Sequence, residues 1–262
     1  MLDRDPLEAL CFAHEFIEEI QKATSLETVE RLLEAVAHYM GFRHYAMIHH
    51  ADARDRAPGL IHMQNYPDGF AERYVAEQLH RDDPVVHACL ASSACFCWSE
   101  IPRLIKLNPR HCRFLEAGAR AGVDNGITVP AYVLGERSGS CNFSGPRAPA
   151  CVRRYVGVAQ LIGSFSFQAA RRILLKGRLR DVRAARLRPR QRECVVLVGH
   201  GKTNSEIAQI LGIGLATVKT YLLQAMGIYD VLTRTQLVVA AVLDGEVGMH
   251  EVNPSQYLYL VD

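Results

Sequence analysis

Between Arg171 and Arg192 the chain carries Arg171, Arg172, Lys176, Arg178, Arg180, Arg183, Arg186, Arg188, Arg190 and Arg192 against Asp181 alone. Cations at this density repel one another and hold the backbone extended in water, so the stretch reads as a solvated linker or as a contact for a polyanion. The patterns on its two sides differ. Before it, helical and strand periodicities alternate; after it come short helices only, until a strand-like "VNPSQYLYLV" at the end. A chain of 262 residues, 49% of them hydrophobic, is long enough for two ordinary cores. A second domain is expected from about Leu187.

In the first part, Leu10, Ala13, Phe16, Ile17 and Ile20 mark a helix. Thr24 with Glu27 reads as a capping box for a second helix, which carries Val29, Leu32, Leu33 and Val36 and is closed by Gly41. "FRHYAMIHH", "LIHM" and "CFCW" read as strands, and "GITVPAYVL" with "GSCNFSG" as a hairpin around "GERS". Helices are expected over Phe70 to Leu79, from Asn108 and Pro109 to Gly122, and from about Ala150 to Leu175. Strands joined mostly by hairpins, with helices before and after them, predict an α+β fold: an α/β/α sandwich with an antiparallel sheet.

In the second part, Pro189 starts a helix ending near Gly201, and Thr203 caps the next with Glu206 at the capping-box position. Ile207, Ala208, Ile210 and Leu211 form that helix's buried stripe. "GIG" then turns the chain into a helix from Ala216 to about Met226, with Val218, Leu222 and Ala225 inward and Lys219, Thr220, Leu223 and Gln224 outward. Two short helices joined by a glycine turn make a helix-turn-helix, whose second member can lie in the DNA major groove. Lys219 and Gln224 carry donors suited to base edges, while Lys202, Arg190 and Arg192 suit phosphates. "GKTNSEIAQILGIGLATVKTYL" followed by "DVLTRTQL" resembles the DNA-binding domain of LuxR-type transcription regulators. The resemblance implies an all-α domain and a DNA-contacting set of Lys202, Thr203, Thr217, Lys219, Thr220, Tyr221, Leu223 and Gln224. Departures from the family are Gln191 for its usual acid, Gly214 for its capping serine, Gly227 inside the recognition helix, and Ile228 with Tyr229 for its lysine-leucine end.

"NYPDGFAERYVAEQLHRDDPVV" places Phe70 and Tyr74 on one helix face, with Tyr66 just before it, so that three rings can wall an apolar cavity. Asp83 would then be a polar anchor accepting a ligand N–H, and Tyr66 or Tyr74 a hydroxyl donor. Trp98 can stack beneath a ligand ring or offer its indole N–H. Each residue also has a plain structural reading: Asp83 before Pro84 is a helix N-cap, and the rings and Trp98 are core. With "NYPDGFAERY", "DPVV", Trp98 and "GITVP" in order, the stretch from Leu7 to Arg172 resembles the autoinducer-binding domain of quorum-sensing regulators. That implies ligand contacts at Tyr66, Phe70, Tyr74, Asp83, Val85, Trp98 and Asn142, with Gly126 beside the pocket. At Phe70 the family normally has a tryptophan whose indole N–H binds a lactone carbonyl, so the resemblance implies an acyl-homoserine lactone whose ring carbonyl finds another donor, or a related small amphiphile. Phe70 and Ile48 also leave open a pocket filled by the protein's own side chains.

The expected organisation is residues 1–172 for ligand binding, 173–186 as a basic linker, 187–249 for DNA and 250–262 as an extension whose apolar tail docks on the DNA-binding domain or on a second copy. The expected partners are a double-stranded, two-fold DNA operator, a small-molecule ligand and a second copy of the chain. No cofactor, metal site or catalytic residue is expected: the cysteines lack CxxC spacing, and Asp83 with His80 or His87 lacks a nucleophile motif. Most cysteines should be buried and reduced, with a Cys95/Cys97 redox pair as the weaker reading. No apolar run approaches membrane length and "MLDRDPLEAL" lacks a basic start, so the chain is expected in the cytoplasm.

Overall fold

Strict alternation along the strands produces a sheet with two chemically different faces, and the helices divide between them. The structure is a computed structural model that describes residues 6–50, 59–67, 69–76, 79, 82–133, 135–145, 152–175 and 187–253. The chain divides into two units, Met1–Arg178 and Leu179–Asp262.

The first unit opens with α1 (Pro6–Lys22) and α2 (Leu26–Met40). The α2 cap is Ser25, whose hydroxyl accepts from Thr28 N–H, and not Thr24: the expected box is displaced by one residue. Gly41 closes α2 in the left-handed region at φ 75°. Then follow β1 (His44–His49), β2 (His62–Gln64), α3 (Phe70–Ala76), α4 (Pro84–Ala91), β3 (Phe96–Cys97), a 3₁₀ turn (Trp98–Glu100), α5 (Ile101–Leu104), α6 (Pro109–Arg120), β4 (Asn125–Ala131), β5 (Gly139–Gly145) and α7 (Val156–Leu174). The helix expected to reach Leu79 stops at Ala76, and the last helix runs continuously only from Val156.

The strands form an antiparallel sheet in the order β2-β1-β5-β4-β3. Its register sorts side chains into rows. Met63, Met47, Cys141 and Val129 lie across from one another, as do Tyr45, Phe143, Ile127 and Cys97. All of these are buried in one core with Phe16, Ile20, Leu33, Met40, Ile162 and Phe167 from α1, α2 and α7. Rows of the opposite face are smaller and more polar: Gln64, Ala46, Asn142 and Thr128 in one, His62, Ile48 and Ser140 in the next. A second cluster, Val85, Ala88, Phe96 and Ile101, packs on that side with Trp98. The hairpin turn is held to α7 by Arg171, whose Nε donates to Glu136 at 2.6 Å, and Arg172 donates to the Ala23 carbonyl at 2.9 Å. These two arginines belong to the fold; Lys176 to Arg186 lie outside the described residues.

The second unit comprises α8 (Pro189–Gly199), α9 (Asn204–Leu211), α10 (Leu215–Tyr229), α11 (Arg234–Leu243) and α12 (Met249–Val252). Thr203 and Glu206 cap α9 reciprocally, Gly212 turns the chain at φ 64°, and α9 and α10 meet at 109°. Val218, Leu222 and Ala225 are buried against Val195, Ile207 and Leu237 as expected. Ile210 is not: it is 54% exposed, because at ~3.6 residues per turn it lies about 60° around the helix from Ile207, on the side away from Ala208 and Leu211, which pack on the core. α12 closes on α8, with Val252 beside Gly199 and Glu251 paired with Arg192 at 2.6 Å. The extension therefore begins docked on its own unit, and residues 254–262 lie outside the described residues.

Cys97, Cys141 and Cys194 are buried, but Cys11 and Cys112 are exposed. Burial raises the pKa of Cys95 and Cys97, which disfavours thiolate at both. No single helix among the described residues is long and apolar enough to cross a membrane.

Gly227 sits inside α10, and a Cβ placed there meets no atom within 4 Å. Gly227→Ala should stabilise this unit by about 1 kcal/mol, seen in calorimetry of the full chain as a rise of several degrees in its transition. An unchanged or lowered midpoint would contradict it.

Candidate functional site

The polar face of the sheet is the floor of a cavity with about 870 Å³ of space including its mouth. Strands are spaced ~4.8 Å apart, so the row from Gln64 to Thr128 spans on the order of 14 Å. Ala46, Ile48, His62, Gln64, Ser140 and Asn142 form that floor; Tyr66, Phe70 and Tyr74 form one wall; Asp83, Val85, Val86 and Trp98 a second; Phe114, Leu115 and Gly118 of α6 a third. Tyr66, Phe70, Tyr74, Asp83, Val85, Trp98 and Asn142, separated in sequence, thus meet around one space. The floor residues His62, Gln64 and Ser140 and the α6 residues were missed. Period-two alternation along β2 and β5, and the Phe114-to-Gly118 spacing on α6, are the patterns that mark them.

Asp83 is only 7% exposed, and both its structural and its anchoring readings are visible in its partners. Oδ1 accepts the Val85 N–H at 2.8 Å, capping α4, and Oδ2 accepts the Tyr74 hydroxyl at 2.9 Å. Burial is the dominant influence and raises its pKa from 3.8 to about 6, against the lowering effect of those hydrogen bonds. Tyr74 therefore spends its hydroxyl on Asp83. Burial and then the Asp83 charge hold the Tyr66 and Tyr74 phenols well above their ordinary range. Tyr66 meets Phe70 edge-on with ring centroids 5.6 Å apart, and Tyr74 meets Phe114 the same way at 6.0 Å.

Trp98 and Asn142 do not present the free groups expected of them. The Trp98 indole N–H donates to Thr128 Oγ1 at 2.8 Å, and Thr128 in turn donates to Asn142 Oδ1 at 2.7 Å. Asn142 Nδ2 reaches Ser140 Oγ at 3.0 Å and the Ala46 carbonyl at 3.2 Å. The network continues to His50 Nε2, 3.0 Å from Ser140 Oγ, and from His50 Nδ1 to Ser138 Oγ at 3.4 Å; burial lowers the His50 pKa to about 4. Gly126 is required by this arrangement: a Cβ there would stand 2.7 Å from Trp98 Cε2. His87 bonds His111 at 3.0 Å and not Asp83; His80 lies outside the described residues.

In the second unit Lys219, Thr220, Leu223 and Gln224 are exposed on α10, as expected. Lys219 has no ion pair among the described residues. Thr220 bonds back to the Ala216 carbonyl at 3.0 Å, and Thr217 is half-buried. Tyr221 packs against the unit's core, because its position on the helix borders the buried stripe. Gln224 Oε1 is engaged at 3.0 Å by Nε2 of the buried Gln191, whose own Oε1 accepts the Arg188 N–H at 2.9 Å. Thr203 is committed to its cap and Lys202 lies 3.9 Å from Glu206. Arg190 makes an exposed pair with Glu193 at 2.7 Å, and Arg192 is held by Glu251 and the Glu246 carbonyl within its own unit.

Residues 25–170 match the model of the autoinducer binding domain family, and residues 183–227 match sigma-70 region 4. The quorum sensing-dependent transcriptional regulator RpaR of Rhodopseudomonas palustris is 27% identical over 233 residues, covering 89% of this chain and 93% of that protein. The transcriptional activator AhyR of Aeromonas hydrophila is 24% identical over 244 residues, 88% of this chain and 91% of its own. A structure of SdiA in complex with octanoyl-rac-glycerol is 21% identical, with a TM-score of 0.57 over 93% of this chain and 97% of that one. A crystal structure of Escherichia coli SdiA, 19% identical, gives 0.54 over 90% and 98%. These likenesses establish the fold.

The raised Asp83 pKa has a stability consequence. Between pH 4 and about 6 the folded chain holds a proton that the unfolded chain has released, so this group's contribution is greatest below pH 4 and is lost as pH rises to 6. The loss is about 2 to 3 kcal/mol. Asparagine caps a helix as well as aspartate. Asp83→Asn should therefore abolish that part of the pH dependence, measured as the difference between the two proteins' denaturation free energies at pH 4 and pH 7. A constant difference would contradict the shift.

Proposed function

This chain belongs to the autoinducer-binding-domain family of LuxR-type transcription regulators, and we propose that its first unit binds an acyl-homoserine lactone or a related small amphiphile in the cavity on the polar face of the sheet. The chain is a DNA-binding regulator of the quorum-sensing type and not an enzyme. One observation carries the ligand reading: a largely apolar cavity that holds a buried carboxylate with unused acceptor capacity. An ionised carboxylate has about four lone-pair sites; Asp83 gives two to donors at 2.8 and 2.9 Å, the Val86 N–H is also directed at it, and acceptor capacity remains. A ligand amide N–H suits the remainder, while Tyr66, Phe70, Tyr74, Val85 and Trp98 enclose its apolar parts. Phe70 and Ile48 line the cavity without filling it, which supports a bound occupant over a self-filled pocket.

In this reading residues 1–172 sense the ligand in the cytoplasm, 173–186 link, 187–249 bind DNA and 250–262 are an extension. Two copies bind a two-fold operator, with recognition helices spaced by a helical turn or a multiple of it. Lys219 and Gln224 face base edges, with Lys202, Thr203, Thr217, Thr220, Tyr221 and Leu223 around them. Ligand that binds only the folded form stabilises it by about 2.7 kcal/mol at a hundredfold excess over Kd.

Lys219→Ala should weaken operator binding by about 1 to 3 kcal/mol at fixed salt with unchanged circular dichroism; unaltered affinity would remove Lys219 from the contact set. Phe70→Trp adds an indole donor to the apolar wall. It should tighten N-octanoyl-homoserine lactone binding about tenfold or more by calorimetry, and no gain would mean that the ring carbonyl lies elsewhere.

A further inference from the structure

Among the described residues, most of the cavity's hydrogen-bond donors are committed to protein acceptors; the exposed His62 imidazole at the rim of the floor and the Gln64 amide are not. Tyr74 O–H and Val85 N–H serve Asp83, Trp98 N–H serves Thr128, Thr128 O–H serves Asn142, and the Asn142 amide serves Ser140 and Ala46. The Tyr66 hydroxyl lies toward Ser144, whose buried Oγ has no hydrogen bond of good geometry. Gln64 differs. It ends the floor row that runs through Ala46 to Asn142, and its Oε1 accepts the Tyr66 backbone N–H at 2.6 Å. A backbone N–H can only donate, so the carboxamide must present oxygen to Tyr66, and its orientation is fixed by chemistry. Gln64 lines the cavity, and its other end, Nε2 with two N–H groups, bonds nothing among the described residues.

We propose that Gln64 is a ligand-binding residue that sets the head-group class of the occupant: an amphiphile whose head carries an oxygen acceptor for the Gln64 amide as well as an N–H or O–H donor for Asp83. The inference rests on the reading of the cavity as a ligand site. It separates acceptor-bearing heads, such as lactones, esters and amides, from heads that only donate. The Tyr66 N–H bond makes Gln64 a pre-oriented donor, since no rotamer search remains when the ligand arrives.

The test measures Kd by calorimetry on the full chain with N-octanoyl-homoserine lactone, 1-octanoyl-rac-glycerol and n-octylammonium, which has a donor head and no acceptor. Gln64→Glu keeps the acceptor for Tyr66 and the side-chain shape but replaces the donor; Gln64→Leu removes both polar ends. Both variants should weaken the two octanoyl probes about tenfold or more, and Gln64→Leu should leave n-octylammonium within about twofold. Octanoyl binding by Gln64→Glu at the wild-type level would overturn the inference, as would an equal loss of all three probes in Gln64→Leu. If the wild type binds the probes and both variants match it, Gln64 alone fails. If the wild type binds none of them, the ligand reading fails with it.

Discussion

One buried carboxylate holds the cavity wall together. Asp83 caps α4 through Val85 and takes the Tyr74 hydroxyl from α3, so two helices on the polar side of the sheet meet at a single side chain. Hydrogen bonds to a charged group contribute about 1.5 to 3 kcal/mol each, but only because leaving a carboxylate buried without them costs more. An apolar replacement would orphan both donors at once. The raised pKa is the residue of that balance: burial outweighs the hydrogen bonds from Val85, Tyr74 and Val86.

The carboxylate borders the space that the sheet leaves. β5 alternates Ser140, Asn142 and Ser144 with Cys141 and Phe143, and the register aligns Cys141 with Met47 and Val129 on the helix-covered face. An alternating strand normally turns its polar half to water. Here α3, α4 and α6 stand over that half, and the small side chains Ala46 and Ser140 keep the floor low. Gly126 does the same for Trp98, which can lie flat only where no Cβ intervenes.

The fold was largely legible because periodicity reports which face a residue occupies. The five strands expected before the arginine-rich stretch formed, Val218, Leu222 and Ala225 turned inward, and the aromatic wall at Tyr66, Phe70 and Tyr74 assembled from its spacing. Partner choice was not legible. Trp98 finds Thr128 across 30 positions and Gln224 finds Gln191 across 33, and no local pattern selects those acceptors over a ligand or a base. Short-range misreadings had a different cause. Ser25 and Thr24 are both competent caps, and the structure uses the one that leaves Leu26 as the first helical residue. Ile210 has the stripe's spacing, yet a helix of two turns has one narrow inward face, occupied by Ile207.

A common device underlies the polar groups of both units. A short side chain surrenders one acceptor to a backbone N–H, which fixes its polarity and leaves the remaining end to act: Asp83 on Val85, Gln64 on Tyr66, Gln191 on Arg188. For Gln191 the remaining end is a donor, and it holds the Gln224 oxygen on the recognition helix. A carboxylate at that position could accept from Arg188 but could not hold that oxygen, so Gln224 would have to turn its amide over. With the amide in place, the Gln224 oxygen is taken and its NH₂ group is the end left unbonded among the described residues on the exposed face of α10; in the proposed DNA contact that end would be a donor, complementary to the acceptor atoms of purine edges. The departure from an acid at Gln191 is thus coupled to which end of the Gln224 amide α10 exposes, through a pair that one residue's exposure and the other's burial would not have suggested.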